Sequence, residues 1–584
     1  VSESQEAKKA MINFEGRRLT GANFFCDEPA AIVDAEIPAD KAGEVIHDWQ
    51  QNVKALHQRL HLSEPIIGSR IHSKGQSLYF TAPIDSLYSA IELNETALLV
   101  ALGIVKVDDT VDEIDGITHV QHLEALFIEE ANPTLLELQS LAKTHEVPFL
   151  WDDDFVSLGL GRHCQTWDID ELPDPGSVDW PSFRQMPIAF ITGTNGKSTT
   201  TRLCAQILRG ARLTIGFSST DGIWAGDDCL DTGDYSGPGG AREVLRNNQV
   251  DAAILEVARG GLLRRGLGTG NAQVALITNV AEDHLGEYGV NTLEELIEAK
   301  FIVRKSLGRH GTLILNADDA GMVEFTSSLN MEGQIIWFSL DRENPVISQH
   351  LASGGVVFCI ADECINRIDK NQKMTICAVD AIPITLSGAA RYNVANALAA
   401  SALCWQILEG TIEERLLIIA DGLKAFDGNR DNPGRGNLRI INDISVMVDF
   451  AHNPHGLNAV VDTLLQLPAK NRMVMLGHAG DRSIDEIREL TRVALRLDPQ
   501  KIIVYELEEY LRGRELGEVP NIIIDALTEF GFAKEHISLS PNPGAGASQA
   551  LAMASAGDFL LLLTLGDRTE VFEVLDKFAA DGSI

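Results

Sequence analysis

Positive charge is scarce in this chain. Against 84 aspartates and glutamates stand 48 lysines and arginines, a formal net charge of −36 over 584 residues. A surface that follows a phosphate backbone is normally basic, so the balance argues against nucleic acid as a partner. It is compatible with a cationic small substrate, and equally with solubility alone. There is no apolar run near the ~20 residues a membrane helix needs; the longest candidate, 559–565, reads as one buried strand, so no membrane partner is expected. Residues 1–10 are polar and charged, unlike a signal peptide. The 8 cysteines include no C-x-x-C pair, which disfavours a zinc site or a disulfide framework and leaves reduced thiols in a cytoplasm as the expectation. Repeats and low-complexity tracts are missing too. With 45% hydrophobic and 23% charged residues, the chain fits a soluble globular protein of about three or four domains.

The first region, to about residue 145, carries a strand-like stretch at 31–37 and a helical pattern at 42–60, but no motif of known chemistry. Residues 146–186 read as a connector rich in turn formers. From Pro187, short apolar runs at 188–192, 252–255, 274–278 and 312–316 alternate with amphipathic helical stretches, the βαβ pattern of a mostly parallel sheet. Residues 353–387 read as antiparallel hairpins and 393–408 as a helix. After a loop at 428–436, a second α/β unit is expected, with strands at 446–450, 473–476, 502–505 and 559–565.

The apolar run ending at Thr192 meets G-T-N-G-K-S-T from Gly193, and a helix containing Leu203, Ile207 and Leu208 follows. Glycines let the backbone turn so that successive N–H groups face phosphate oxygens, and the helix N-terminus adds partial positive charge. Lys197 can reach terminal phosphates and the Ser198 hydroxyl can ligate Mg²⁺. The G-x-x-G-K-S spacing is two residues tighter than the common phosphate loop. A merely structural turn does not explain Lys197 beside Ser198.

In open parallel sheets, ligands sit beyond the carboxyl ends of the strands. One expected strand runs into Glu256, a hard-oxygen ligand suited to Mg²⁺; another runs into Asn279 and then Asp283-His284. Further on, N-T-L-E-E from Asn291 reads as a capping box of Thr292 and Glu295. The helix it starts places Leu293, Leu296, Ile297, Lys300 and Phe301 on one stripe. Lys300 therefore faces inward, where an unpaired ammonium is costly. Snorkelling, a buried ion pair, and reaction of the amine with CO2 to give a carbamate all remain open on spacing alone.

Further segments complete a pattern: S-S-T-D-G from Ser218, D-Y-S-G-P from Asp234, L-E-V-A-R-G-G-L-L-R-R-G-L from Leu255, T-N-V-A-E-D-H-L-G from Thr278, R-Y-N-V-A-N-A-L-A-A from Arg391, N-P-G-R from Asn432, V-D-F-A-H-N-P from Val448 and L-R-G-R-E-L-G-E from Leu511. With the glycine loop, they resemble the Mur ligase superfamily, and within it the cyanophycin synthetase family, over roughly 187–584. The opening G-R-R-L-T-G-A-N from Gly16 and the stretch 147–161 resemble that family's N-terminal domain and its join to an ATP-grasp domain, which is itself missing here.

The resemblance implies an α/β chain with an α+β N-terminal domain (1–165), a linker (166–186), a central P-loop ATPase domain with a mostly parallel sheet (187–428) and a Rossmann-like C-terminal domain (429–584). It implies an ATP-dependent amide ligase that makes an acyl phosphate on a carboxylate, of the aspartate side-chain type, and joins it to an arginine-like amine, releasing ADP and phosphate. ATP would be held by Thr194, Asn195, Gly196, Lys197, Ser198 and Thr199. Asn396 would lie toward adenine, Asp449 toward ribose, and Arg435 and His452 toward phosphates. Of two Mg²⁺ ions, Ser198 and Glu256 would hold the first, and His284 with a carbamylated Lys300 the second; Lys197, His284 and Lys300 are the expected catalytic groups. Asp234, Ser236, Arg259 and Arg264 are candidates for gripping substrate, although Arg264 and Arg265 read equally as surface residues. Without the ATP-grasp domain, the aspartate-adding step of that family is expected to be absent. The partners expected are small carboxylates and amines, with a homo-oligomer or a companion ligase compatible. A non-catalytic ATP-binding subunit, a folate-type glutamate ligase, and a subunit fed ammonia by a glutaminase are the competing readings; the intact set of site residues disfavours the first, the N-terminal region the second, and the third would need a partner.

Overall fold

The computed structural model describes residues 13–72, 74–110, 117–370 and 372–581. The first body is a four-stranded antiparallel sheet ordered Phe14–Leu19, Ala30–Ala35, Gly75–Thr81, Ile67–His72. Helix Ala42–Arg59 packs through Val45, Trp49, Val53 and Leu56, which recur at helical spacing and are buried. The Trp49 indole donates to Asn94 of helix Leu87–Ala101 at 2.8 Å, and the Asn94 amide donates to Ala31 O and Leu78 O, both at 3.1 Å. A buried polar group satisfied on every side thus ties both helices to the sheet.

Residues 149–168 are more ordered than a connector. Phe149–Trp151, Phe155–Leu158 and Gln165–Asp168 form a small antiparallel sheet, whose last strand straddles the boundary expected at 165/166. Strands of three or four residues between turn formers are too short to show a period of two.

The central body is built on an eleven-stranded sheet. Its seven parallel strands run in the order Ile215–Ser219, Ala252–Glu256, Ile188–Thr192, Ala272–Ile277, Leu307–Asn316, Gln334–Ser339, Val356–Ala361. The hairpins read at 353–387 continue its far edge through Cys364–Asp369 and Gln372–Ala378. Helix Arg391–Ile407 is buried on nearly every face. Its alanines let it lie between the sheet and helices Lys197–Arg209 and Ile412–Ala425. The last body has a six-stranded sheet whose strands Ile444–Asp449, Phe559–Leu563, Arg472–Leu476, Lys501–Tyr505 and Ile537–Ser540 are parallel. The carboxyl ends of both parallel sheets open onto one cleft of about 1080 Å³, which is where ligands of such sheets bind.

Candidate active site

Strand Ile188–Thr192 ends at the glycine loop, and helix Lys197–Arg209 begins at its far side. Gly193 has φ +149° and Gly196 φ +85°. A Cβ on Gly193 would lie 1.9 Å from Thr278 Oγ1, and one on Gly196 2.3 Å from Asn396 Oδ1, so both the conformation and the close approach require glycine. The loop is braced by the turn after the neighbouring strand. Thr194 N donates to Asn279 O at 2.8 Å and Asn195 N to Asn279 Oδ1 at 3.0 Å, while Thr278 Oγ1 donates to Asn195 O at 2.6 Å. Asn396, expected toward adenine, sits beneath Gly196 and accepts from Thr200 Oγ1 at 3.4 Å.

Lys197 Nζ donates to Thr194 O at 2.9 Å. Ser198 Oγ lies 3.0 Å from Thr220 Oγ1, and Glu256 Oε2 accepts from Thr220 N at 3.4 Å. Glu256 Oε1 is buried and has no hydrogen-bond partner. Burial pushes the Glu256 carboxyl up, against the pull of Lys197 and Arg435. An orphaned carboxylate oxygen beside a hydroxyl and a lysine is a hard-oxygen donor set that fits a Mg²⁺ ion. Lys300 is inward, as its place on the helical stripe predicts, and 3% exposed. Its Nζ neither snorkels nor pairs with a carboxylate; it donates to Gly193 O at 2.9 Å. Burial, reinforced by Lys197, holds its pKa well below the usual lysine value, so the neutral amine is favoured there.

The C-terminal body contributes the opposite wall. Asp449, at the end of its strand, accepts from Ala451 N at 2.7 Å, and burial lifts its pKa to about 6. Arg435 donates to Thr220 Oγ1 at 3.1 Å and Asp221 at 3.3 Å. Asp221 also receives Arg202 at 2.9 Å and Arg568 at 2.5 Å. Burial alone would raise the Asp221 pKa, but Arg435, Arg202 and Arg568 hold it at about 2. One carboxylate therefore pins the central body to two arginines of the C-terminal body. A second pin is Arg482, which donates to Asp283 Oδ1 and to His284 Nε2, both at 2.7 Å. His452 Nε2 lies 3.7 Å from Asp283. Ligand atoms of Asp283, His284 and His452 fall within 4.8 Å of one another, and in this arrangement the Arg482 guanidinium engages Asp283 and His284. Burial lowers the His284 pKa to about 4, which keeps it a neutral acceptor for Arg482.

Among the residues expected to grip substrate, Ser236 donates to the exposed Asp234 through both its N–H (3.1 Å) and its hydroxyl (2.6 Å). Arg259, 7% exposed, donates to His284 O and pairs with Glu287. Its guanidinium is engaged by the wall itself. Arg264 is solvent-exposed at the cleft rim. Every nucleotide, metal and substrate candidate named from the sequence lines this one cleft. Sequence reading missed Asp221, Arg202, Arg568 and Arg482. The S-S-T-D-G segment displays Asp221, but nothing local signals that these groups meet.

Fold and cleft together define an α/β protein in which a glycine loop and a second parallel sheet share one site. The family model "Mur ligase middle domain" matches residues 191–404, and "Mur ligase, glutamate ligase domain" matches 434–566. Through these two domains, which span more than half of it, the chain belongs to the Mur ligase family. It is 36% identical over 369 residues to a cyanophycin synthetase of Geminocystis herdmanii, covering 63% of this chain and 40% of that one. It is 25% identical over 403 residues to the UDP-N-acetylmuramoyl-L-alanyl-D-glutamate–2,6-diaminopimelate ligase of Chlamydia caviae, covering 67% and 75%. The solved structure of E. coli FolC in complex with DHPP and ADP is similar at 18% identity, covering 68% of this chain and 89% of that one, with a TM-score of 0.48. The chain spans 40–44% of the length of the cyanophycin synthetases it matches. Among the described residues, no helix is long and apolar enough to cross a membrane.

Proposed function

We propose that the chain is an ATP-dependent carbon–nitrogen ligase that activates a substrate carboxylate as an acyl phosphate. The observation that carries this reading is the convergence, in one cleft, of the glycine loop, Lys197, the Ser198–Glu256 pair and the Asp449 strand end of the second sheet. The loop N–H groups and the helix N-terminus orient the phosphates. Lys197 leaves Thr194 O to meet the charge that spreads over the transferring phosphoryl group. A Mg²⁺ on Ser198 and Glu256 would neutralise phosphate charge when bound. Arg435 and His452 enclose the phosphates from the C-terminal body, and Asp449 faces the ribose.

The second expected ion site reads differently. Lys300 as a free amine is a poor ligand for Mg²⁺, which wants hard oxygens. As a carbamate it would present a carboxylate beside Gly193, and its low basicity in this setting favours the free amine that CO2 needs. His284 would have to exchange Arg482 for the ion. The substrate reading rests on the resemblance: an aspartate-type carboxylate and an arginine-like amine. The acidic groups around the cleft, among them Asp234, Asp318 and Asp319, suit a cationic amine.

The test is phosphate release from ATP with purified protein, screened against pairs of amino acids and aspartyl peptides, with products weighed. Release that requires one carboxylate and one amine, with a product mass equal to their sum less water, establishes the ligase and its substrates. Measurable ATP binding with no release for any pair would overturn it.

A further inference from the structure

The cleft contains no residue from the first body; among the described residues, its lining begins at Gly193. Yet the loop that carries His284 is tied to that body. Within 284–289, His284 (φ +53°), Gly286 (+96°), Tyr288 (+52°) and Gly289 (+72°) are all left-handed. Two of them are not glycine, and such conformations persist only where the surroundings over-determine them. Within its backbone the loop has two hydrogen bonds, Gly286 N to Val290 O at 2.8 Å and Val290 N to Glu287 O at 3.1 Å, while Leu285, Tyr288 and Val290 pack against the central core.

The support comes from cations. Three carbonyls of the loop each accept from one: His284 O from Arg259, Gly286 O from Lys74 at 3.0 Å, and Gly289 O from Arg70 at 2.8 Å. Arg70 stands on strand Ile67–His72 of the first body, and Lys74 in the turn that joins it to Gly75–Thr81. Arg70 also pairs with Glu295, at 3.1 Å, at the start of the Lys300 helix. Arg17, from the G-R-R-L-T-G-A-N segment, lies over the Tyr288 ring at 5.4 Å and donates to Leu263 O of helix Arg259–Arg265, while its Nε donates to Asp34 at 2.8 Å. The two loop glycines fit this contact. A Cβ on Gly286 would lie 2.7 Å from Lys74 Nζ, and one on Gly289 2.8 Å from the His72 ring.

We infer that the N-terminal body props the strained His284 loop, and that Arg70, Lys74 and Arg17 are positioning residues for the reaction although none enters the cleft. This rests on the ligase reading for its consequence in turnover, but not for the propping itself.

Hydrogen exchange of the full chain, read by mass spectrometry, tests it in Arg70→Ala, Arg70→Lys and Lys74→Ala. The last is an exposed side chain whose loss leaves folding intact. Exchange across 283–290 is expected to rise roughly tenfold or more in Arg70→Ala and less in Lys74→Ala, with helix Lys197–Arg209 unchanged. ATP affinity should stay within about twofold and kcat fall about tenfold or more. Arg70→Lys, which can still reach Gly289 O, should recover part of both. Unchanged exchange in the loop, or an equal rise in helix Lys197–Arg209, overturns the propping. Faster loop exchange with an undiminished kcat overturns its role in turnover. If the wild type turns over no substrate pair, the ligase reading has failed, and the exchange and ATP-binding arms still decide the propping alone.

Discussion

On one side of the cleft, the glycine loop is held by the turn after the neighbouring strand: Thr278 and Asn279 brace its backbone, and glycine is present where a Cβ would strike Thr278 or Asn396. On the other, the loop 284–290 is left-handed at four positions and is held by Arg259 and, from a different body, by Lys74, Arg70 and Arg17. The first wall draws mainly on the central body, with Lys300 donating to Gly193 O at 2.9 Å, and touches the C-terminal body through Asn195, which donates to Asn453 at 3.2 Å. The second depends on charge–carbonyl contacts between distant parts of the chain. On the proposed ligase reading, a wall of the first kind suits a fixed cofactor-like substrate such as ATP; a wall of the second kind can be retuned by a separate domain.

The largest expected effect falls on the nucleotide wall. Lys197→Ala should lower ATP turnover roughly 10³-fold, with the melting temperature and exchange of loop 284–290 unchanged; parallel calorimetry and phosphate-release assays check it. Lys300→Ala should cost about 10²-fold and be restored in part by added acetate or another short carboxylate. Full activity without the additive would remove the carbamate from the mechanism.

The junction between the walls has its own pH signature. The folded pKa of Asp221, about 2, lies below its unfolded value near 4. Its contribution, on the order of 2 kcal/mol, is therefore present above pH 4 and lost as pH falls toward 2. Denaturant titrations between pH 5 and 2.5 should show a shallower acid loss in Asp221→Asn than in wild type; equal slopes would mean the three arginines do not act through this carboxylate. Smallest is Gly193→Ala, which should weaken ATP binding roughly tenfold while leaving the exchange of 284–290 untouched. If that substitution loosened the far loop as well, the two walls would not be independent.

Much of the first wall is legible in the order of its residues. The Lys197–Ser198 pair, Glu256 at a strand end and Lys300 on a buried stripe follow from spacings of one to eight residues, as does the capping box, in which Glu295 N donates to Thr292 Oγ1 at 3.2 Å. The small sheet at 149–168 is not legible, because its strands are shorter than a readable alternation. Asn396, expected toward the base, also packs against Gly196, a contact its motif does not spell out, because a motif marks that a residue matters without saying which atom it touches. Arg482 is hidden for a different reason: its partners, Asp283 and His284, are 199 and 198 positions away.

The α/β alternation, the glycine loop and the inward lysine are written in the amino-acid sequence alone, because each depends on backbone geometry and burial patterns that repeat within one or two turns. How the bodies close on one another is settled by tertiary structure: Asp221 among arginines from two bodies, Arg482 against His284, and Arg70 with Lys74 beneath a strained loop. Those contacts join groups tens to hundreds of residues apart. Their strength comes from desolvation and charge at close range, which exist only once the chain has folded.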